Sequence, residues 1–160
     1  MDKNLIPLAT LGISCLIGCA GEPIIGDWEL SSVDIEDYNF NGLTYSNSVD
    51  GYDDYCGDSS YTVSMTVEAS ISVDENLLAE METKADFSYS YETEDCGSGS
   101  ESETYSEDYS GEVTANEDGT YDIELKGDED DLDLECTIND AGDELECEDD
   151  GDEMTFSKKG

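Results

Sequence analysis

The chain has 160 residues, 44 of them acidic against 5 basic, with no histidine and a net charge of −39 at pH 7. Such a charge repels nucleic-acid phosphates and anionic lipid headgroups, which excludes binding of either through a basic patch. The missing histidine removes the commonest general base and rules out a Ser-His-Asp triad, and the missing arginine leaves little to stabilise a developing anion, so the chain is expected to be no enzyme.

At the N-terminus, Lys3 supplies a thin positive start. The apolar run from Leu5 to Ile17, broken by Pro7, is too short to span a bilayer and reads as a signal peptide. At its end, Leu16-Ile17-Gly18-Cys19 resembles the lipobox of bacterial lipoproteins. That resemblance implies cleavage before Cys19, acylation of its sulfur and new amino group, and a membrane anchor made of acyl chains alone. Cys15 lacks the leucine three residues upstream that the pattern requires. Ala20, where an aspartate would hold a Gram-negative lipoprotein at the inner membrane, implies sorting to the outer membrane. The expected division is a signal peptide over 1–18, a lipidated tether over 19–25 and an acidic, disulfide-tied β domain over 26–160. Removing residues 1–18 takes away one acid and one lysine and leaves the charge at −39.

A charge density this high also marks disordered chains, and hydropathy periodicity decides against that reading. Tyr61, Val63, Met65, Val67, Ala69, Ile71 and Val73 alternate with polar residues, the period of a strand with one buried face. After Asp74-Glu75-Asn76 the alternation resumes with Leu77, Ala79, Met81, Thr83, Ala85, Phe87, Tyr89 and Tyr91. Folding the two runs about that turn sets Val73 opposite Leu77, Ala69 opposite Met81 and Val63 opposite Phe87 in one long hairpin.

Shorter strands follow. Tyr109, Gly111 and Val113 lead to the Asp118-Gly119 turn, then Tyr121, Ile123 and Leu125 alternate beyond it. Leu132, Leu134, Cys136 and Ile138 form the next apolar face, Leu145 and Cys147 the next, and Met154 and Phe156 the last. With Trp28 and Leu30 at the start, the pattern predicts an all-β antiparallel meander of roughly eight strands, closed as a barrel or left as a half-open sheet. Loops are expected over 34–60 and 93–104.

With Cys15 in the signal and Cys19 acylated, Cys56, Cys96, Cys136 and Cys147 remain, an even number in an exported chain. Extending the long hairpin brings Cys56 near Cys96, while Cys136 and Cys147 share the inward face of adjacent strands. The expected bridges are therefore Cys56 with Cys96 and Cys136 with Cys147. A four-thiolate metal site is disfavoured, because no Cys-x-x-Cys pair exists and the compartment is oxidising.

Ile24-Ile25-Gly26-Asp27-Trp28-Glu29-Leu30 resembles the opening of bacterial lipocalin-like lipoprotein domains, in which Gly-x-Trp begins the first strand. The resemblance implies a lipocalin-like barrel. In lipocalins this tryptophan packs beneath an arginine near the barrel's end, and Lys158 is the residue left to stand in for it here.

The acidic runs Asp128-Glu129-Asp130-Asp131 and Glu148-Asp149-Asp150-Gly151-Asp152-Glu153 fall at turns. They match no EF-hand pattern and read as solvated turns with weak cation binding rather than a specific metal site. Ala69, Ala79, Ala85 and Gly111 are small inward residues that hint at a cavity. The leading expectation is a lipid-anchored envelope protein that binds a small apolar ligand or a protein partner, a basic protein among them, without cofactor. The alternative is a structural acidic coat or salt-adapted module that binds only cations.

Overall fold

The computed structural model describes residues 22–35 and 38–160. The segment expected as a signal peptide, with Cys15, and Cys19, the expected acylation site, lie outside the described residues. Ten strands follow one another: β1 (Gly26–Asp34), β2 (Phe40–Asn41), β3 (Thr44–Asp53), β4 (Gly57–Val73), β5 (Leu78–Thr93), β6 (Gly97–Ala115), β7 (Tyr121–Lys126), β8 (Asp131–Ile138), β9 (Glu144–Asp149) and β10 (Asp152–Lys158). The described residues contain no helix.

Every pairing is antiparallel, and β4 through β10 form an uninterrupted meander. β1 closes it. One side of β1 pairs with β10, Trp28 opposite Lys158 and Leu30 opposite Phe156, and its other side pairs with the end of β4, Gly26 opposite Val73 and Trp28 opposite Ile71. Eight strands thus form a closed barrel of lipocalin-like architecture, which removes the edges an open sheet would expose.

The strands differ greatly in length. β5 and β6 have 16 and 19 residues against 6 in β7. At about 3.3 Å per residue, the β4–β6 wall overshoots the short strands by roughly 30 Å. The overhanging part is lengthened sideways by β3, which pairs with β4 from Gly57 to Thr66. β1 takes over the same edge of β4 from Ser70 to Val73. β4 is therefore shared between the barrel and a single-layer blade built from β2, β3 and the outer parts of β4, β5 and β6.

The core lies at the end of the barrel where the chain enters. Ile24, Trp28, Ile123, Leu125, Leu134, Cys136, Leu145 and Phe156 are fully buried there. Trp28 Nε1 donates to the Ile24 carbonyl at 2.8 Å, so the largest side chain has no unpaired polar atom. Cys136 and Cys147, directly opposite in register, are bonded inside the barrel, and Cys56 is bonded to Cys96 at the far tip of the blade.

Several sequence expectations are corrected. The long hairpin pairs Val73 with Ala79, Ala69 with Thr83 and Val63 with Tyr89, a register two residues longer than expected. The turn is the reason. Asp74 Oδ1 accepts the amides of Asn76 and Leu78 at 2.8 and 3.0 Å, and Leu77 turns the chain at φ 60°, so the turn consumes Leu77 instead of pairing it. The two-residue change leaves every side chain on its expected face. It also carries the pairing on from Ser59 opposite Thr93 to bring Cys56 opposite Cys96.

Residues 34–60 and 93–104 are mostly strand, not loop. Their Ser, Gly and Glu content is weak strand material, and they become strands because β4 and β5 offer unpaired backbone along their whole length. Ile24, placed by sequence in the tether, is buried among the core residues.

Candidate functional site

The strand alternation that fills the lower barrel with hydrocarbon changes character toward the other end. On β9 the inward residues are Leu145, Cys147 and then Asp149; on β10 they are Phe156, Met154 and then Asp152. On β6 the inward series runs from Val113 and Tyr109 to Glu107 and Tyr105. Three inward carboxylates, all half-buried, thus follow the last apolar layer at the open mouth.

Above the packed core this mouth holds a cavity of about 610 Å³. Val67, Ala69, Met81, Leu132 and Met154 form its apolar floor, and Asp128 and Glu129 join the three inward carboxylates at its rim. Both acidic runs singled out in the sequence therefore meet at one end of the barrel. Among the described residues, no group of three or more acids or cysteines is arranged to hold a metal ion.

Glu107 is the best-anchored of the mouth acids. It accepts the Glu129 amide at 3.0 Å and the Tyr109 hydroxyl at 2.9 Å. The Glu129 amide first, and the Tyr109 hydroxyl next, hold its carboxyl below the usual range. Burial first, and the bond to Glu107 second, push the Tyr109 hydroxyl up to about 12, so it stays a neutral donor. The β7–β8 loop closes tightly on this pair, for a Cβ at Gly127 would meet the Glu107 carboxylate at 2.4 Å. Asp149 is perturbed the other way. Burial raises its carboxyl, and the charges of Asp150, Asp133 and Asp152 raise it further.

The small inward residues divide. Ala69 and Ala85 line the cavity, whereas Ala79 belongs to the packed lower layer. Gly111 is small for another reason. A Cβ there would lie 1.7 Å from the Glu124 carbonyl oxygen, so glycine permits the close approach of β7 and opens no space for a ligand.

The blade is a second distinctive surface. One face carries Tyr45 and Val49 on β3, Tyr61, Val63 and Met65 on β4, and Phe87, Tyr89 and Tyr91 on β5, paired across the strands. Tyr61 and Tyr89 stack with ring centroids 6.2 Å apart, and Tyr91 covers Gly99, where a Cβ would meet its ring at 2.7 Å. A shallow groove of about 250 Å³ runs between Tyr38, Val49, Tyr61 and Phe87. The opposite face is mostly serine and threonine, with acids such as Asp50, Asp58, Asp86 and Glu92 among them, and Ser48 is bonded to Thr62 and Ser64 to Ser88, each at 2.7 Å.

Sequence reasoning named no ligand-binding residue. Glu107, Asp149 and Asp152 were hidden among the other acids, and continuing the two-residue period past Tyr109, Cys147 and Met154 is the signal that finds them.

The chain matches no protein-family model, no curated protein and no solved structure. Its own fold defines its class, an eight-stranded antiparallel barrel with lipocalin-like architecture, tied by two disulfides and carrying a blade beside an open, acid-rimmed mouth.

Proposed function

We propose that this protein is a lipid-anchored, non-enzymatic component of the bacterial cell envelope whose barrel binds a small apolar ligand. The observation that carries the reading is the apolar-floored cavity of about 610 Å³, a size suited to a small organic molecule. The polarity of the barrel supports it. The chain enters at the closed end, beside Ile24 and Trp28, so an acyl anchor on Cys19 would set that end toward the membrane and present the mouth and blade away from it. The lipobox-like Leu16-Ile17-Gly18-Cys19 supplies the anchor, and Ala20 favours the outer membrane.

Native and denatured mass spectra of the protein taken gently from its envelope test this reading. An excess mass of small-molecule size, lost on denaturation, is the expected result, together with acylation that disappears in Cys19→Ala. A bare acylated mass with two disulfides and only cation adducts would overturn the carrier reading and leave the acidic coat. The uncovered aromatic face of the blade favours a second reading, a docking surface for a protein, with Val49 58% exposed on its edge strand.

A further inference from the structure

The structure assigns a charge to the ligand: the mouth cavity takes a small apolar molecule bearing a protonated amine, its hydrocarbon on the floor and its ammonium among Glu107, Asp149 and Asp152. This rests on the reading of the cavity as a ligand site and adds the chemistry of what it holds.

The floor and the rim make different demands. Val67, Ala69, Met81, Leu132 and Met154 present hydrocarbon and thioether and ask for no hydrogen bonds, which suits an alkyl chain or ring. The layer above is fixed by strand alternation, so Glu107, Asp149 and Asp152 point inward because of where they stand in β6, β9 and β10. These are rigid elements, and Glu107 is held further by the Glu129 amide and the Tyr109 hydroxyl.

The lysines among the described residues are engaged by other partners. Lys84, which borders the cavity, is held by Asp86 at 2.5 Å and Glu68 at 3.7 Å. Lys126 is paired with Asp131, Lys159 with Glu29, and Lys158 lies over Trp28 at the opposite end of the barrel. Among the described residues, none of these lysines pairs with an inward mouth carboxylate. Burial first, and the charges of Asp150, Asp133 and Asp152 next, raise the Asp149 carboxyl, so of the three inward acids Asp152 is the one that adds to its load. A cation seated there lowers the mutual repulsion of the carboxylates, a neutral molecule leaves it, and a fatty acid anion would add to it. A bare metal ion makes no use of the floor.

Octylammonium, octanol and octanoate share one chain and differ in charge, which makes them a direct test by titration calorimetry on the full chain with its disulfides intact. Octylammonium is expected to bind at least about tenfold more tightly than octanol, and octanoate more weakly than either. Glu107→Gln with Asp149→Asn and Asp152→Asn should erase the amine's advantage and keep octanol binding, while Ala69→Phe, which fills the floor, should weaken both. Near-UV circular dichroism checks that each variant folds, and Asp149→Asn alone replaces the triple variant if that one does not.

Equal binding of amine and alcohol would overturn the charge assignment and leave the cavity reading standing. An amine advantage that survives the carboxylate variants would also overturn it, marking adsorption to the acidic surface. Failure of all three probes to bind, or binding indifferent to Ala69→Phe, would remove the cavity reading itself.

Discussion

The ammonium of Lys158 sits 4.8 Å from the ring centroid of Trp28 and donates to the Pro23 carbonyl at 3.0 Å. The lysine thereby closes the barrel end over its largest core side chain and ties the incoming chain to the last strand. Trp28→Ala should cost about 3–5 kcal/mol, as large aromatic truncations in cores do. Lys158→Ala should cost about 0.5–1 kcal/mol for the cation over the ring, and Lys158→Arg should retain stability because a guanidinium stacks on an aromatic face. Urea unfolding measures all three. A Lys158→Ala midpoint equal to the parent's would deny the contact any energetic role.

The two disulfides should act on different parts of the molecule. Chain entropy alone favours Cys56–Cys96, with a sequence separation of 40 against 11 for Cys136–Cys147. Location argues the reverse, since Cys56–Cys96 clips the tip of a single-layer blade and Cys136–Cys147 lies in the core. Replacing Cys56 and Cys96 by serine should speed amide exchange near Ser59 and Thr93 while shifting the melting temperature less than replacing Cys136 and Cys147 by alanine. Hydrogen exchange and calorimetry on the two double variants decide between the arguments.

Stability at neutral pH should rise in Asp149→Asn. Burial first, then Asp150, Asp133 and Asp152, hold this carboxyl above its unfolded value, so the folded state binds the proton more tightly. Its destabilising effect grows as pH rises from the unfolded pKa through the raised folded one, persists above it, and vanishes below both. Asp74, Asp86, Glu107 and Asp118 are shifted downward; the stability they contribute is present above their unfolded pKa values and is lost as pH falls through the lowered ones. Melting curves against pH should therefore show the variant's advantage shrinking toward acid. An advantage that grows toward acid would contradict the assignment. A mouth carboxylate whose removal stabilises the fold is also what a binding residue looks like.

Salt should stabilise the protein. With a net charge of −39, self-repulsion opposes the compact state, and the Debye length contracts from about 30 Å at 0.01 M to about 3 Å at 1 M ionic strength. The melting temperature should climb steadily with sodium chloride over that range. A flat response would mean that the charges are already neutralised by tightly bound cations.

Gly111→Ala should cost about 1–3 kcal/mol, the usual range for forcing extra atoms into a packed site. The added carbon would meet the Glu124 carbonyl oxygen at 1.7 Å, so β6 and β7 must move apart. A variant as stable as the parent in urea would show that the two strands separate freely.

Much of the architecture was legible because a period of two survives in a chain crowded with acids. The alternations through Val73, Leu125, Cys136 and Phe156 located the barrel strands, and a shared face on adjacent strands joined by a short turn paired Cys136 with Cys147. The hairpin register was misread by two residues because the turn's length depends on how Asp74 caps it and where Leu77 turns, a local geometry that hydropathy does not encode.

Sequence by itself determined the all-β class, the inward faces and the choice of cysteine partners, since each follows from the residue types, their parity along the strand and the order of the hairpins. Only the tertiary structure decided that β1 seals the barrel between β4 and β10, that the serine- and glycine-rich segments become a blade, and that two distant acidic runs share one mouth. Those outcomes depend on which unpaired backbone edges meet and on how far each strand extends, quantities set by the folded chain as a whole and carried by no single segment of it.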